Sequence, residues 1–127
     1  MNILLDTCTF LWIVRDSPQL SATARTLFSD PHHTVYLSAV SVWEIAVKHG
    51  LGRLPLAESP HHYIPHERAK HGIAALDLTE AAVLEIRRLP PHHQYPFDQM
   101  LICQAIAYSL TLLTPDGQIQ AYPVRIA

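Results

Sequence analysis

The chain has 127 residues, 49% of them hydrophobic, and a formal net charge of −2. That length supports one domain with a core of its own, and the slightly acidic balance argues against a protein that coats nucleic acid, which would be basic. No apolar run approaches the ~20 residues needed to span a bilayer, and Asp6 interrupts the first apolar stretch, so a soluble, cytoplasmic chain without a leader is expected.

Met1 to Leu5 reads as a buried strand, its apolar run continuous rather than alternating, as in a parallel strand covered on both faces. Thr7 to Arg15 follows as a helix ending before Asp16-Ser17-Pro18, and Ser21 caps a second helix to about Ser29. Val35 to Leu37 is the second strand. Ser38 or Ser41 then caps a helix to His49, with Gly50 as its C-terminal stop. After a loop from Gly52 to Pro60, a helix covers His61 to His71 and Ile73 to Leu76 forms the third strand. Thr79 caps a helix from Glu80 to Arg88, which Pro90-Pro91 ends. A polar loop, Pro91 to Pro96, leads into an apolar helix over Asp98 to Tyr108 and a fourth strand over Thr111 to Leu113. A helical turn over Gly117 to Ala121 and an edge strand over Val124 to Ile126 follow. Strands alternating with helices predict an α/β fold: one domain over residues 1–127, with a mostly parallel central sheet of about five strands flanked by helices.

Four acids stand where strands end or helices begin. Asp6 closes the first strand, Asp116 follows the fourth after Thr114-Pro115, Asp98 opens an apolar helix, and Glu44 interrupts one. In a parallel sheet the carboxyl ends of the strands and the first turns of the following helices share one edge, where ligands bind. Carboxylates gathered there repel each other unless a hard cation lies between them. Each acid also has a plainer reading, since Asp caps helices and Thr-Pro-Asp-Gly is an ordinary turn. Ser41, Glu44 and Lys48 form a narrow polar stripe at i, i+3 and i+7 on an otherwise apolar helix; it is either a solvent strip with a Glu44–Lys48 pair or a wall of a polar cleft.

The remaining chemistry-bearing residues give less. His66-Glu67 imitates the start of a zinc-protease motif, but Lys70 stands where the second His is required. The pairs His32-His33, His61-His62 and His92-His93 read as solvated loop residues. Cys8 and Cys103 have no CxxC spacing and read as buried, reduced packing residues. Asp6-Thr-Cys-Thr9 lacks the second Asp of a phosphatase nucleophile pair, because Cys8 occupies its place. Of the cations, Arg87-Arg88 suits a helix C-terminus, whereas Lys48 on the polar stripe suits substrate.

Four segments carry a resemblance: ILLDTCTFLW from Ile3, LSAVSVWEIAVKHGLGRL from Leu37, YPFDQMLICQA from Tyr95 and LLTPDGQIQAYPV from Leu112. In order, spacing and apolar surroundings they are similar to the PIN-domain ribonucleases, and more closely to the VapC-type toxins of toxin–antitoxin pairs. The resemblance implies a Mg²⁺- or Mn²⁺-dependent endoribonuclease that limits translation, a VapB-type antitoxin as partner, a homodimer, and no membrane. It implies Asp6 and Asp98 as the most direct metal ligands, Asp116 as the third aspartate, and Glu44 acting directly or through water, all four catalytic. Thr7 matches a frequent polar neighbour of the first aspartate, and Thr7, Ser41 and Lys48 are candidate substrate contacts. The pattern departs at Tyr95, where relatives often carry Asp or His, and at Gln99, where they often carry Arg. The rival reading is a catalytically inactive module of the same fold that binds RNA or protein.

Overall fold

Three apolar runs, pairing in parallel, make the centre of a five-stranded sheet. A computed structural model describes residues 1–90, 95–117, 119 and 125–127, with Arg125 described only in its backbone. In chain order the elements are β1 (Asn2–Leu5), α1 (Thr7–Val14), α2 (Ala22–Ser29), β2 (Thr34–Ser38), α3 (Ala39–Gly50), α4 (Pro60–Lys70), β3 (Ala74–Leu76), α5 (Glu80–Leu84) with a 3₁₀ turn (Glu85–Arg88), α6 (Pro96–Ala107), β4 (Thr111–Leu113) and β5 (Arg125–Ile126).

The strand order is β3-β2-β1-β4-β5, and every neighbouring pair is parallel. Ile3 faces Val35 on one side and Thr111 on the other; Leu5 faces Leu113. The period-2 pleat then sorts the side chains. Ile3, Leu5, Val35, Leu37 and Leu113 enter one core with Phe10 of α1 and Ile45 of α3, while Leu4 and Leu112 enter the other with Leu101, Ile102 and Ala105 of α6. Both faces of the sheet are therefore covered, which is why the strands read as unbroken apolar runs. From β1 the chain builds outward through β2 and β3, then returns to add β4 and β5 on the opposite side. This places the topological switch between β1 and β4, where a crevice opens beyond their carboxyl ends.

Several boundaries differ from the sequence reading, each for a local reason. Ser38 caps α3, its hydroxyl accepting from Val40 N at 2.9 Å, and Ser41 lies inside the helix. Gly50 is the last helical residue rather than the stop; Gly52, at φ +73°, takes the left-handed turn and donates to His49 O. The helix after Thr79 tightens at Glu85 into a 3₁₀ turn. The apolar helix starts at Pro96, a residue suited to the first turn because it has no N–H to leave unsatisfied, so Asp98 is its third residue rather than its cap. Cys103 is buried, but Cys8 is only half-buried, and both are free thiols. His92 and His93, most of the polar loop before Pro96, most of the turn expected over Gly117 to Ala121, and Val124 of the expected edge strand lie outside the described residues, while Arg125 and Ile126 form β5. Among the described residues no helix is long and apolar enough to cross a membrane.

One buried polar contact ties the two layers together. Gln104 on α6 is fully buried; its Oε1 accepts from Ser38 Oγ at 2.5 Å, and its Nε2 donates to Asp77 O at 3.2 Å. It thereby anchors α6 to the carboxyl end of β2 and to the chain beyond β3. Gln104→Leu fills the space but leaves the buried Ser38 hydroxyl proton without its acceptor and removes the donor to the Asp77 carbonyl. The expected loss is roughly 2 kcal/mol of unfolding free energy, read by urea denaturation.

Candidate active site

Asp6, Glu44, Asp98 and Asp116 line a single cleft at the β1/β4 switch, together with Thr7, Cys8, Tyr95 and Pro115. Four different elements deliver the acids: the end of β1, the interior of α3, the first turn of α6 and the segment after β4. The polar stripe on α3 thus faces inward at Ser41 and Glu44, 0% and 4% exposed, and Glu44 lines the cleft.

Asp6 does two jobs at once. It is the N-cap of α1, with Oδ1 accepting from Thr9 N at 2.8 Å, and its Oδ2 accepts from Thr114 Oγ1 at 2.6 Å. Thr114 Oγ1 also accepts from Asp116 N at 3.1 Å, so one hydroxyl bridges the Asp6 carboxylate and the backbone of Asp116. The register explains this: Leu5 and Leu113 are partners, so the next residues of β1 and β4 emerge side by side. Burial pushes the Asp6 carboxyl above its ordinary range; the bonds from Thr114 and Thr9 oppose this, and the Glu44 charge adds to it.

Glu44 is held differently. Its Oε1 accepts from Thr7 Oγ1 at 2.6 Å; its Oε2 accepts from Lys48 Nζ at 2.6 Å and from Tyr95 Oη at 2.7 Å. Thr7 spends its one proton on Glu44, so the Ser41 hydroxyl 2.9 Å away serves as donor in the Thr7–Ser41 pair. Burial alone pushes Glu44 up, but the bonds from Lys48, Thr7 and Tyr95 and the Lys48 charge more than offset it, leaving the carboxyl below its ordinary range. The Lys48 ammonium also lies 5.3 Å from the centre of the Tyr95 ring.

Cys8 reports on the whole set. Its thiol is pushed up to about 12 by burial first and then by the charges of Asp6, Asp98, Glu44 and Asp116. A thiol so placed stays protonated and supplies no nucleophile. Among the described residues, however, no group of three His, Cys, Asp or Glu is placed to hold a metal ion by itself. A separate, more enclosed cavity lies beyond Thr114, bordered by Thr9, Trp12, Leu20 and Ala24. Its described lining has no ionisable side chain.

Of the expected substrate contacts, Thr7 lines the cleft and the Lys48 side chain is 42% exposed. Ser41 is fully buried and bonded to Thr7, and the Thr7 hydroxyl donates to Glu44, so both hydroxyls brace that wall of the cleft. Two members of the site, Tyr95 and Thr114, were not expected from sequence. Tyr95 stood out only as a departure from the resembled pattern. Thr114 had no signal beyond its place between a strand end and Asp116, because its partner Asp6 is 108 residues away.

A parallel α/β sheet with four carboxylates lining one cleft at its switch point defines an acidic-cleft α/β protein. The PIN domain family model matches residues 3–124, and the chain belongs to that family. A curated relative, Ribonuclease VapC16 of Mycobacterium tuberculosis, is 35% identical over 68 residues, covering 50% of this chain and 48% of that protein. The chain thus aligns with about half the length of that relative. Among solved structures, VapBC2 from Rickettsia felis bound to a promoter DNA fragment superposes with a TM-score of 0.74 at 15% identity, over 100% of this chain and 98% of that one. FitAcB from Neisseria gonorrhoeae superposes with a TM-score of 0.60 at 25% identity, over 98% and 95%.

The two central acids have opposite electrostatics, and their removal separates them. Asp6→Asn is expected to raise the melting temperature of the metal-free protein at pH 7, because it removes a desolvated charge that the folded state disfavours. Asp6 has a raised folded pKa, so its penalty is full above that pKa and fades as pH falls from there to the unfolded value; the advantage of Asn fades with it. Glu44→Gln is expected to cost roughly 2 kcal/mol at pH 7 by weakening three donors' acceptor. Glu44 has a lowered folded pKa, so that deficit is full above its unfolded value and disappears as pH falls through the folded one. Thermal scans from pH 3 to 8 on the three proteins check both slopes.

Proposed function

We propose that this chain is a Mg²⁺- or Mn²⁺-dependent endoribonuclease that acts in the cytoplasm as the toxin of a VapBC-type toxin–antitoxin pair. The observation that carries the reading is the meeting of Asp6, Glu44, Asp98 and Asp116 on one cleft of a PIN-family sheet. The ribonuclease named among its relatives supports the reaction class, and the VapBC structures that share its fold support the pairing.

The donor set fits a hard divalent cation. It is all carboxylate oxygen, with no imidazole among the described cleft residues and the one thiol held protonated. Mg²⁺ commonly binds through one or two carboxylates, completing its shell with water and substrate phosphate, so a closed three-ligand cage is not required. A bound ion of this kind would supply a more acidic water and neutralise charge on a phosphodiester. Asp6, Asp98 and Asp116 are the residues that would hold it. Asp6 offers the clearest electrostatic motive, because a neighbouring positive charge relieves both its desolvation and its repulsion with Glu44.

Glu44 works from the facing wall. A carboxylate has about four acceptor positions, and Thr7, Lys48 and Tyr95 fill three among the described residues. The remaining position suits a water proton, so Glu44 orients the attacking water while staying ionised. Lys48, partly exposed beside it, meets the phosphate backbone of the RNA. The antitoxin and a second copy of the chain are the partners. The exposed apolar side chains Trp43, Val47 and Leu51 supply surface for such contacts.

The test is cleavage of total RNA by the purified protein with Mn²⁺, with and without EDTA. Cleavage is expected only with metal. Asp6→Asn and Asp98→Asn, which keep shape and remove charge, are each expected to lower the rate by about 100-fold or more. Unchanged metal-dependent cleavage by both variants overturns the assignment.

A further inference from the structure

We infer that Tyr95 is a positioning residue: its phenol fixes Glu44 and, through Glu44, ties the turn of α6 that carries Asp98 to helix α3. The inference rests on the reading of this cleft as catalytic, and it concerns how two of its walls are held in register.

Tyr95 is the N-cap residue of α6, three residues before Asp98. It cannot cap that helix with its own side chain, and it makes no such bond. Instead its hydroxyl crosses to α3 and donates to Glu44 Oε2 at 2.7 Å. A second strut runs beside the first. The Tyr95 ring meets Phe97 edge-on at 5.4 Å, and Phe97 meets Trp43 edge-on at 4.5 Å, Trp43 being the residue before Glu44. A polar bond and an aromatic chain thus join the same two elements, one lining the cleft and the other beside it.

The other donors to Glu44 do different work. Lys48 belongs to the same helix as Glu44, four residues on, so its bond to the carboxylate joins no second element, although its ammonium also lies 5.3 Å from the centre of the Tyr95 ring. Thr7 comes from α1 and links Glu44 to the Asp6 side of the cleft. Tyr95 supplies the link to the Asp98 side. Glu44 is therefore held from α1, from its own helix and from the start of α6, and the last hold depends on the phenol. The residue type matters. A phenol remains a protonated donor at neutral pH, whereas a carboxylate in its place would repel Glu44. A site whose acids sit on separate elements needs such ties, because misplacing a catalytic group by about 1 Å can cost 100-fold in rate.

The test is a double-mutant cycle of Tyr95→Phe, Glu44→Gln and the pair, which keeps ring and shape while removing hydroxyl and charge. Tyr95→Phe is expected to lower the urea midpoint of the metal-free protein, and to lower it about half as much or less in the Glu44→Gln background, where the acceptor is neutral. In RNA cleavage it is expected to reduce kcat about tenfold with KM for RNA unchanged, as for a group that acts through another. Equal midpoint shifts in both backgrounds overturn the inference, as do unchanged kcat and KM, or a raised KM at full kcat, which would make Tyr95 a substrate contact. If the wild-type protein cleaves no RNA with any divalent metal, the catalytic reading falls, and the unfolding cycle alone decides whether the phenol is coupled to Glu44.

Discussion

A carboxylate at the end of a central parallel strand cannot be left to solvent. β1 is flanked by β2 and β4 and covered on both faces, so Asp6 is 7% exposed where it emerges from the sheet. Two hydrogen bonds, from Thr9 N and Thr114 Oγ1, do not restore what burial removes, and the carboxyl remains harder to ionise than usual. Proteins carry such an uncompensated group mainly where it has a task, because a neutral residue at the same place would be more stable. The rest of the site is arranged around this one strained charge. Thr114 shares its hydroxyl with the Asp116 backbone, and the remaining acids face Asp6 across the cleft.

The acids are not equivalent. Asp6 is desolvated and pushed up; Glu44, also buried, is pulled down by three donors, one of them the Lys48 cation. Two carboxylates whose environments drive them apart are suited to different roles, one to respond to an added positive charge and the other to stay ionised regardless. The same division appears in their support. Asp6 leans on a backbone N–H and a threonine hydroxyl, with no charged donor among these bonds. Glu44 is locked by Thr7, Lys48 and Tyr95, which leaves room for little beyond a water.

Helix α3 shows what this costs in pattern. An ordinary surface helix buries its apolar side, but here Ser41 and Glu44 point inward while Trp43 is 53% exposed and Val47 40%. The polar stripe is consumed by the cleft, and part of the apolar surface is turned out beside it. Function has inverted the local amphipathicity, and the helix stands because Val40 and Ile45 still reach the two cores.

Residues alone determined much of this protein. Continuous apolar strands, capped helices and their alternation specify a parallel α/β sheet, because a strand covered on both faces has no polar side to show. Three acids at strand ends and a helix start, with Glu44 inside an apolar helix, mark the edge where a cleft forms. Local signals do not contain register or the aim of a side chain. The polar stripe on α3 reads equally as a solvent face until packing buries Glu44. Ser41 passes for a surface hydroxyl until Thr7 lands on it. Thr114 becomes part of the site only because Leu5 pairs with Leu113, and Tyr95 only because the start of α6 meets α3. Sequence patterns record which residues prefer water or a helix end, whereas bonds between groups tens of residues apart exist only once the sheet has chosen its order.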